Sequence, residues 1–140
     1  MPHPSAVLDT NVIVSAHLKE EGLERFVLDL ALARKLQLFL STEILEEYEG
    51  VLARPAFKLK PDRVTASLRL IKKAALMVHP EKKVQASRDP DDNKFLECAG
   101  EAQAGYLVTG NKKHFPTHWR QTRIVNAREL LQEIMPDLQR

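Results

Sequence analysis

The stretch that decides the fold lies near the N-terminus and reads Val7-Leu8-Asp9-Thr10-Asn11-Val12-Ile13-Val14. Its first apolar residues suit a buried strand, and apolar residues resume directly after the three polar ones. An acid at the end of a buried strand is costly to bury unless a partner stabilises it. The carboxyl ends of strands line the ligand crevice of open α/β sheets. Asp9 is therefore either the N-cap of the next helix or the first member of a site.

The composition is that of one folded domain covering residues 1–140. Hydrophobic residues make up 44% and charged residues 29% of the chain, which excludes extended disorder. The net charge of +2 neither demands nor excludes a nucleic-acid partner, so a basic surface must come from local clustering. Cys98, the single cysteine, cannot form an internal disulfide. With no signal pattern and no apolar run of about 20 residues, we expect a cytoplasmic protein without a membrane span.

Strand patterns alternate with helix patterns along the chain. The predicted strands are residues 6–9, 36–40, 76–78, 106–109 and 123–125. The predicted helices cover residues 10–18, a segment from 22, residues 42–52, a segment from 61, residues 89–105 and residues 127–134, and residues 110–121 are expected to be irregular. This alternation predicts an α/β fold with a parallel sheet covered on both faces.

The helix predicted from Asp89 carries an acid on its apolar face. At about 100° per residue, Asp92 falls within the arc formed by Phe95, Leu96, Ala99 and Ala102. A favourable interaction with the helix dipole would be served equally well from the solvent side, so the inward direction of Asp92 indicates a function. Asp89 itself is better explained as the N-cap.

The helix predicted over residues 42–52 contains four glutamates. Glu46 lies opposite the apolar face, whereas Glu47 and Glu49 flank its two edges. The helical wheel leaves these two candidates open, and the ordinary interpretation of such an acidic cluster is a solvated face.

Three carboxylates are expected at one edge of the sheet. Asp9 ends a strand, and Glu47 and Asp92 lie near the starts of helices, which face the same edge as the strand ends. The three charges would repel one another unless a cation neutralised them. Oxygen ligands without His or Cys favour Mg²⁺ or Mn²⁺ over Zn²⁺. The implied chemistry is hydrolysis of a phosphodiester by a metal-activated water.

A second apolar strand, Tyr106 to Thr109, also ends in polar residues. Asn111 is either a ligand that offers a carbonyl oxygen to a metal or its water, or a turn former after Gly110. Thr109 could orient a carboxylate or a water.

Four motifs in order resemble the PIN-domain family of metal-dependent nucleases, and most closely its small toxin-like members related to the VapC toxins. The first is Val-Leu-Asp-Thr-Asn at 7–11, and the second is Ser-Thr-Glu-Ile-Leu-Glu-Glu-Tyr-Glu-Gly-Val-Leu-Ala-Arg-Pro at 41–55. The others are Arg-Asp-Pro-Asp-Asp-Asn-Lys-Phe-Leu at 88–96 and Tyr-Leu-Val-Thr-Gly-Asn-Lys-Lys-His-Phe-Pro at 106–116. Each motif alone is weak, but their order and spacing cover nearly the whole chain.

The resemblance assigns the three acids to Asp9, Glu47 and Asp92, and so selects Glu47 over Glu49. Where the family often has a fourth acid, this chain has Asn111, which lowers the charge of the site and weakens the case for a second metal. The polar positions around the family site are matched by Thr10, Asn11, Ser41 and Thr109.

The resemblance further implies an α/β/α sandwich around a central parallel sheet of about five strands. It implies a Mg²⁺- or Mn²⁺-dependent endoribonuclease that acts on RNA, and in particular the toxin of a toxin–antitoxin system. Homodimerisation is common in the family, and a cognate antitoxin is often present.

Basic residues near the fourth motif are candidates for RNA binding, namely Lys112, Lys113 and Arg120. Trp119 could stack on a base of single-stranded RNA, but a lone Trp is more often a core anchor. Likewise, lysines on a loop are usually solvated.

Two other functions share part of this pattern. A PIN fold that binds RNA or protein without cutting is kept open by Asn111. A phosphatase of the haloacid-dehalogenase type also begins with a strand ending in Asp, but it requires a second acid two residues later, where this chain has Asn11.

Overall fold

The protein is built around a six-stranded sheet, seen in a computed structural model that describes residues 3–138. The strands are β1 (Ser5–Leu8), β2 (Gln37–Leu40), β3 (Leu76–Met77), β4 (Tyr106–Val108), β5 (His118–Trp119) and β6 (Thr122–Val125). Their order across the sheet is β3-β2-β1-β4-β6-β5. All neighbours are parallel except β5 and β6, which form an antiparallel pair at one edge.

Six α-helices connect or follow these strands. They are α1 (Thr10–Leu18), α2 (Leu23–Leu32), α3 (Thr42–Leu52), α4 (Pro61–Ala74), α5 (Asn93–Ala102) and α6 (Ala127–Leu138). Short 3-10 turns occur at Pro55–Phe57, Pro90–Asp92 and Lys112–His114. Local chemistry sets several helix starts: Ser41 Oγ accepts a hydrogen bond from Ile44 N at 3.3 Å, and Pro61 occupies the first position of α4.

Helices cover both faces of the sheet. In β1, Ala6, Val7 and Leu8 are each fully buried, and consecutive residues of a strand point to opposite faces. Helix α5 packs against β1, β2 and β4, and helix α6 packs against β4 and β6. The predicted α/β/α sandwich is therefore confirmed.

The register of the central strands aligns their carboxyl ends. Leu8 pairs with Val108, and Val108 pairs with Val125. The residues that follow are joined in the same way, since Asp9 N donates to Val108 O and Thr109 N donates to Val125 O, both at 2.9 Å. Polar residues after these strands thus share one edge of the sheet.

The predicted helix over residues 89–105 is wrong at both ends. Asp89 does cap the start, because its Oδ1 accepts from Asp91 N at 3.0 Å, but Pro90–Asp92 forms a 3-10 turn before α5. The helix ends at Ala102, where Gln103 takes the left-handed conformation with φ of 54°. Gly105 serves another purpose, since a Cβ there would lie 3.4 Å from Ser5 O.

The segment predicted to be irregular, residues 110–121, contains a 3-10 turn and strand β5. The five parallel strands agree with the expected parallel sheet of about five strands, and β5 is an additional antiparallel strand at its edge. β5 has only two residues, which is too short for a period-2 pattern to reveal.

Cys98 is fully buried in the core, as expected for a small apolar residue, and burial raises the pKa of its thiol to about 12. No helix within residues 3–138 has the length and apolar character needed to cross a membrane.

Candidate active site

Asp9 lies in the N-cap position of α1 but does not cap it. Its backbone is extended, and its side chain makes no cap hydrogen bond. Instead, Asp9 Oδ2 accepts a hydrogen bond from Thr109 Oγ1 at 2.7 Å, and only 6% of the residue is exposed. Of the two interpretations of Asp9, its contacts favour membership of a site.

Burial is the main cause of the raised pKa of Asp9, which is about 6 instead of 3.8. The hydrogen bond from Thr109 lowers the pKa, whereas the negative charges of Asp92 and Glu47 both raise it. The three acids therefore act on one another through space, as expected for carboxylates gathered at one edge.

Asp92 is the last residue of the 3-10 turn before α5, with 17% of its side chain exposed. His114 Nδ1 lies 3.3 Å from Asp92 Oδ2. Burial is again the largest influence and raises the pKa of Asp92, while the contact with His114 lowers it. The side chain of Asp92 is thus largely buried, as predicted, but the residue belongs to the 3-10 turn that precedes α5 and not to the helix itself.

Glu47, on the second turn of α3, is held by two neighbours. Thr10 Oγ1 donates a hydrogen bond to Glu47 Oε2, and Lys94 Nζ lies 2.5 Å from Glu47 Oε1. The side chains of Glu47 and Lys94 are 26% and 17% exposed, respectively. By contrast, Glu46 and Glu49 are exposed to solvent.

The other predicted polar residues have structural contacts at the same edge. Asn11 Oδ1 accepts from Gly110 N at 3.1 Å, and Thr109 Oγ1 accepts from Asn111 N at 2.9 Å. Asn111 itself is exposed. Ser41 is buried as the N-cap of α3, so its role is to fix the helix that carries Glu47.

The donor set fits a hard divalent cation. Mg²⁺ is usually bound through one or two carboxylates, with water and substrate oxygens completing its shell. Burial is the main cause of the raised pKa of Asp9, and a cation would relieve the smaller contribution that comes from the charges of Asp92 and Glu47. Among the side chains described from residue 3 to residue 136, however, no three of His, Cys, Asp or Glu converge closely enough to surround an ion. The contact of Glu47 with Lys94 draws that carboxylate into an ion pair.

The candidate RNA-binding residues do not all lie at this site. Lys112 and Lys113 belong to the 3-10 turn that also carries His114. Arg120 lies instead beside Gly100 and Gln103, at the end of α5 remote from Asp92. Its guanidinium is 5.2 Å from the centre of the Trp119 ring.

Trp119 is a core anchor. Its Nε1 donates to Leu96 O at 3.1 Å, and its ring packs against the core. It is therefore not placed to stack on a base near Asp9.

Sequence reasoning missed two residues that contact the acids, Lys94 and His114. Lys94 follows Asp92 by two positions within the third motif, and His114 follows Asn111 by three within the fourth. Their position inside these two motifs could have indicated that they lie close to the acids, because other residues of the same motifs had been assigned to the site.

Comparisons with known proteins agree with this geometry. A sequence profile described as PIN domain matches residues 5–113. An uncharacterised protein of Methanocaldococcus jannaschii is 30% identical over 109 residues, which cover 76% of this chain and 70% of the relative.

A similar fold is found in the crystal structure of VapBC2 from Rickettsia felis bound to a DNA fragment from their promoter. The TM-score is 0.57 at 18% sequence identity, with 87% of this chain and 98% of the other chain covered.

Proposed function

This chain belongs to the PIN-domain family, and on that basis we propose that it is a Mg²⁺- or Mn²⁺-dependent endoribonuclease. PIN domains are generally nucleases. The observation that supports the proposal most strongly is the buried carboxylate of Asp9. Its pKa is raised by burial and, to a smaller extent, by the negative charges of Asp92 and Glu47. A divalent cation and a phosphodiester are the partners that this arrangement suits best.

In the proposed mechanism, Asp9 and Asp92 would be the principal ligands of the ion, and Glu47 would be the third. The chemistry that the ion supplies when bound is activation of a water and neutralisation of charge on the phosphate. Thr109 Oγ1 fixes the orientation of the Asp9 carboxylate by its hydrogen bond to Oδ2. His114 restrains Asp92, and Thr10 restrains Glu47, so each carboxylate is oriented by a neighbour.

Cleavage of a mixed pool of single-stranded RNA in Mn²⁺, Mg²⁺ or EDTA tests this function. We expect cutting by the wild type in either metal and none in EDTA. The double variant Asp9→Ala/Asp92→Ala should lose activity by at least about 100-fold, because the principal ligands are gone. A double variant that cuts as well as the wild type would remove the site from the mechanism.

A non-cutting PIN fold that binds RNA or protein is the second candidate, and two observations favour it. Asn111 adds no charge where the family often has an acid, and Lys94 already neutralises Glu47. RNA binding that is equally strong with EDTA and with Mn²⁺, without cleavage in either, would support this candidate over the nuclease.

We further propose that the protein is the toxin component of a toxin–antitoxin pair and that an antitoxin protein is its partner. The support is the fold shared with VapBC2 of Rickettsia felis. Induced expression should then arrest growth, and Asp9→Asn should relieve the arrest at equal protein level. Normal growth with the active wild type would count against a toxin role.

A further inference from the structure

A basic cavity adjoins the acidic site on the side of β6. Its volume is about 410 Å³, and Lys113, Ile124 and Val125 are among the residues that line it. We infer that this cavity is a subsite for one nucleotide of a single-stranded RNA, next to the phosphodiester at Asp9. The inference rests on the proposed nuclease function and adds to it the place where the substrate strand is held.

Thr109 connects the cavity to Asp9 through two hydrogen bonds. Val125 O accepts from Thr109 N at 2.9 Å, and Thr109 Oγ1 donates to Asp9 Oδ2 at 2.7 Å. β6 lies two strands away from β1, which corresponds to about 10 Å at the usual strand spacing. An RNA strand that runs along the edge of the sheet from Asp9 toward β6 passes this cavity.

The 3-10 turn Lys112–His114 separates the two places. His114 contacts Asp92, whereas Lys112 and Lys113 line the cavity. One turn of backbone thus joins a carboxylate of the acidic site to the cations of the neighbouring cavity.

The lining combines apolar and cationic groups as a nucleotide requires. Phe115, Ile124 and Val125 are buried below 8% exposure and offer an apolar floor for a base. Cations on the rim attract the phosphate backbone. The volume falls within the usual range for small-molecule sites, about 300–1,000 Å³.

Among the cations of the cavity, Lys113 is the one available for phosphate. Lys112 Nζ lies 2.8 Å from Glu129 Oε1, and Arg123 is paired with Glu133. Lys113 has no ion-pair partner among the side chains described from residue 3 to residue 136, and it is exposed.

Charge distinguishes this cavity from a second cavity, which lies beside Lys94. A cavity of about 560 Å³ borders Lys94, but its charged lining consists of Lys83, Lys94, Glu43, Asp91 and Glu97. Three acids there outnumber two lysines. The cavity beside Lys113 has Lys112, Lys113 and Arg123 against Glu129, so an RNA strand is favoured on this side.

The test is binding of a fluorescein-labelled single-stranded RNA of mixed sequence, followed by fluorescence anisotropy in EDTA so that cleavage is prevented. We expect Lys113→Glu to weaken binding at least about tenfold. The slope of the logarithm of the binding constant against the logarithm of the salt concentration should also decrease in magnitude by about one. The matched control is Lys72→Glu, which makes the same charge change at an exposed residue of α4 and should bind like the wild type. Equal affinities of the two variants would overturn the subsite.

A second measurement locates the strand without any substitution. RNA containing 4-thiouridine, irradiated in complex with the wild type, should form adducts within residues 113–125. Adducts confined to other segments would overturn the inference, as would a wild type that does not bind this RNA. If Lys113→Glu binds normally while the wild type still cuts RNA in Mn²⁺, the subsite fails and the nuclease function stands. If binding depends on Lys113 but no metal supports cleavage, the nuclease function fails instead.

Discussion

The ionised form of Asp9 is held in an unfavourable environment. Burial and the charges of Asp92 and Glu47 raise its pKa to about 6. A group with a raised pKa binds its proton more tightly in the folded state, and each pKa unit corresponds to about 1.4 kcal/mol. Ionisation of Asp9 should therefore cost the metal-free protein a few kcal/mol of stability at neutral pH.

The variant Asp9→Asn tests this cost. Stability from protonated Asp9 is fully present below pH 3.8 and is lost as the pH rises through about 6. Without divalent metal, we expect Asp9→Asn to raise the free energy of unfolding by about 1–3 kcal/mol at pH 7.5 and by little near pH 4. Urea denaturation of the wild type and the variant at both pH values measures these differences in the free energy of unfolding. Glu46→Gln, at an exposed residue of α3 beyond its first turn, should change neither value. An Asp9→Asn variant less stable than the wild type at pH 7.5 would contradict this prediction.

Lys94 competes with a divalent cation for Glu47. Its Nζ is 2.5 Å from Glu47 Oε1, and its positive charge repels a cation placed between the acids. We expect Lys94→Met to bind Mn²⁺ about tenfold more tightly than the wild type in isothermal titration calorimetry. The control Lys83→Met removes an exposed lysine that pairs with Glu43 and should leave the affinity unchanged. Weaker binding by Lys94→Met would mean that Lys94 orders Glu47 for the metal.

Single residues were predictable where a motif and a burial pattern agreed. Asp9 and Asp92 were assigned because acids fell where apolar residues were expected. Glu47 required the family resemblance, since a wheel does not distinguish it from Glu49. Lys94 and His114 were missed because a charged residue in a loop or first turn is usually solvated, and only the assembled neighbours reveal a contact.

Among the secondary-structure elements, α5 positions both the third acid and the segment before it. Glu97 Oε2 accepts from Val84 N at 3.1 Å, and Asn93 Oδ1 accepts from Ser87 N at 3.0 Å. These residues are four positions apart and share one face of the helix. The segment of residues 79–88 is thereby fixed along α5 and leads into the turn that carries Asp92.

Removing one of these contacts should loosen the segment. Glu97 is 9% exposed, and Glu97→Ala leaves the Val84 amide without its acceptor, at a cost of about 1–3 kcal/mol. We expect faster tryptic cleavage at Lys82, Lys83 and Arg88, read by mass spectrometry. Glu101→Ala, which removes only a 3.4 Å contact with Glu81 N at an exposed residue, is the control. Equal cleavage rates for the two variants would show that Glu97 does not hold the segment.

Most helices and strands could be predicted because their apolar periodicity is long or their caps are strong. α1 and α3 were both predicted with their observed bounds. Two exceptions have different causes. Gln103 supplies the left-handed conformation where a glycine was expected, and β5 is formed by pairing with β6, which no pattern within two residues encodes.

For the whole molecule, the alternation of strands and helices predicted a parallel sheet covered on both faces, and the family resemblance implied the α/β/α sandwich, but neither gave the strand order. β4 follows β3 in the chain, yet it lies beside β1 and is separated from β3 by both β2 and β1. This order depends on long-range pairing, which periodicity does not specify. It matters for the site, because it brings Thr109 to Asp9 across a separation of 100 residues.

The central claim is that the carboxylates at this edge of the sheet hold a divalent cation. The most direct measurement is anomalous diffraction from crystals of the wild type soaked in Mn²⁺. The account predicts a manganese peak at about 2.1 Å from carboxylate oxygens of Asp9 and Asp92, with Glu47 in contact directly or through water, and no peak there in crystals of Asp9→Asn. A manganese ion bound elsewhere, with none near Asp9 in the wild type, would contradict it.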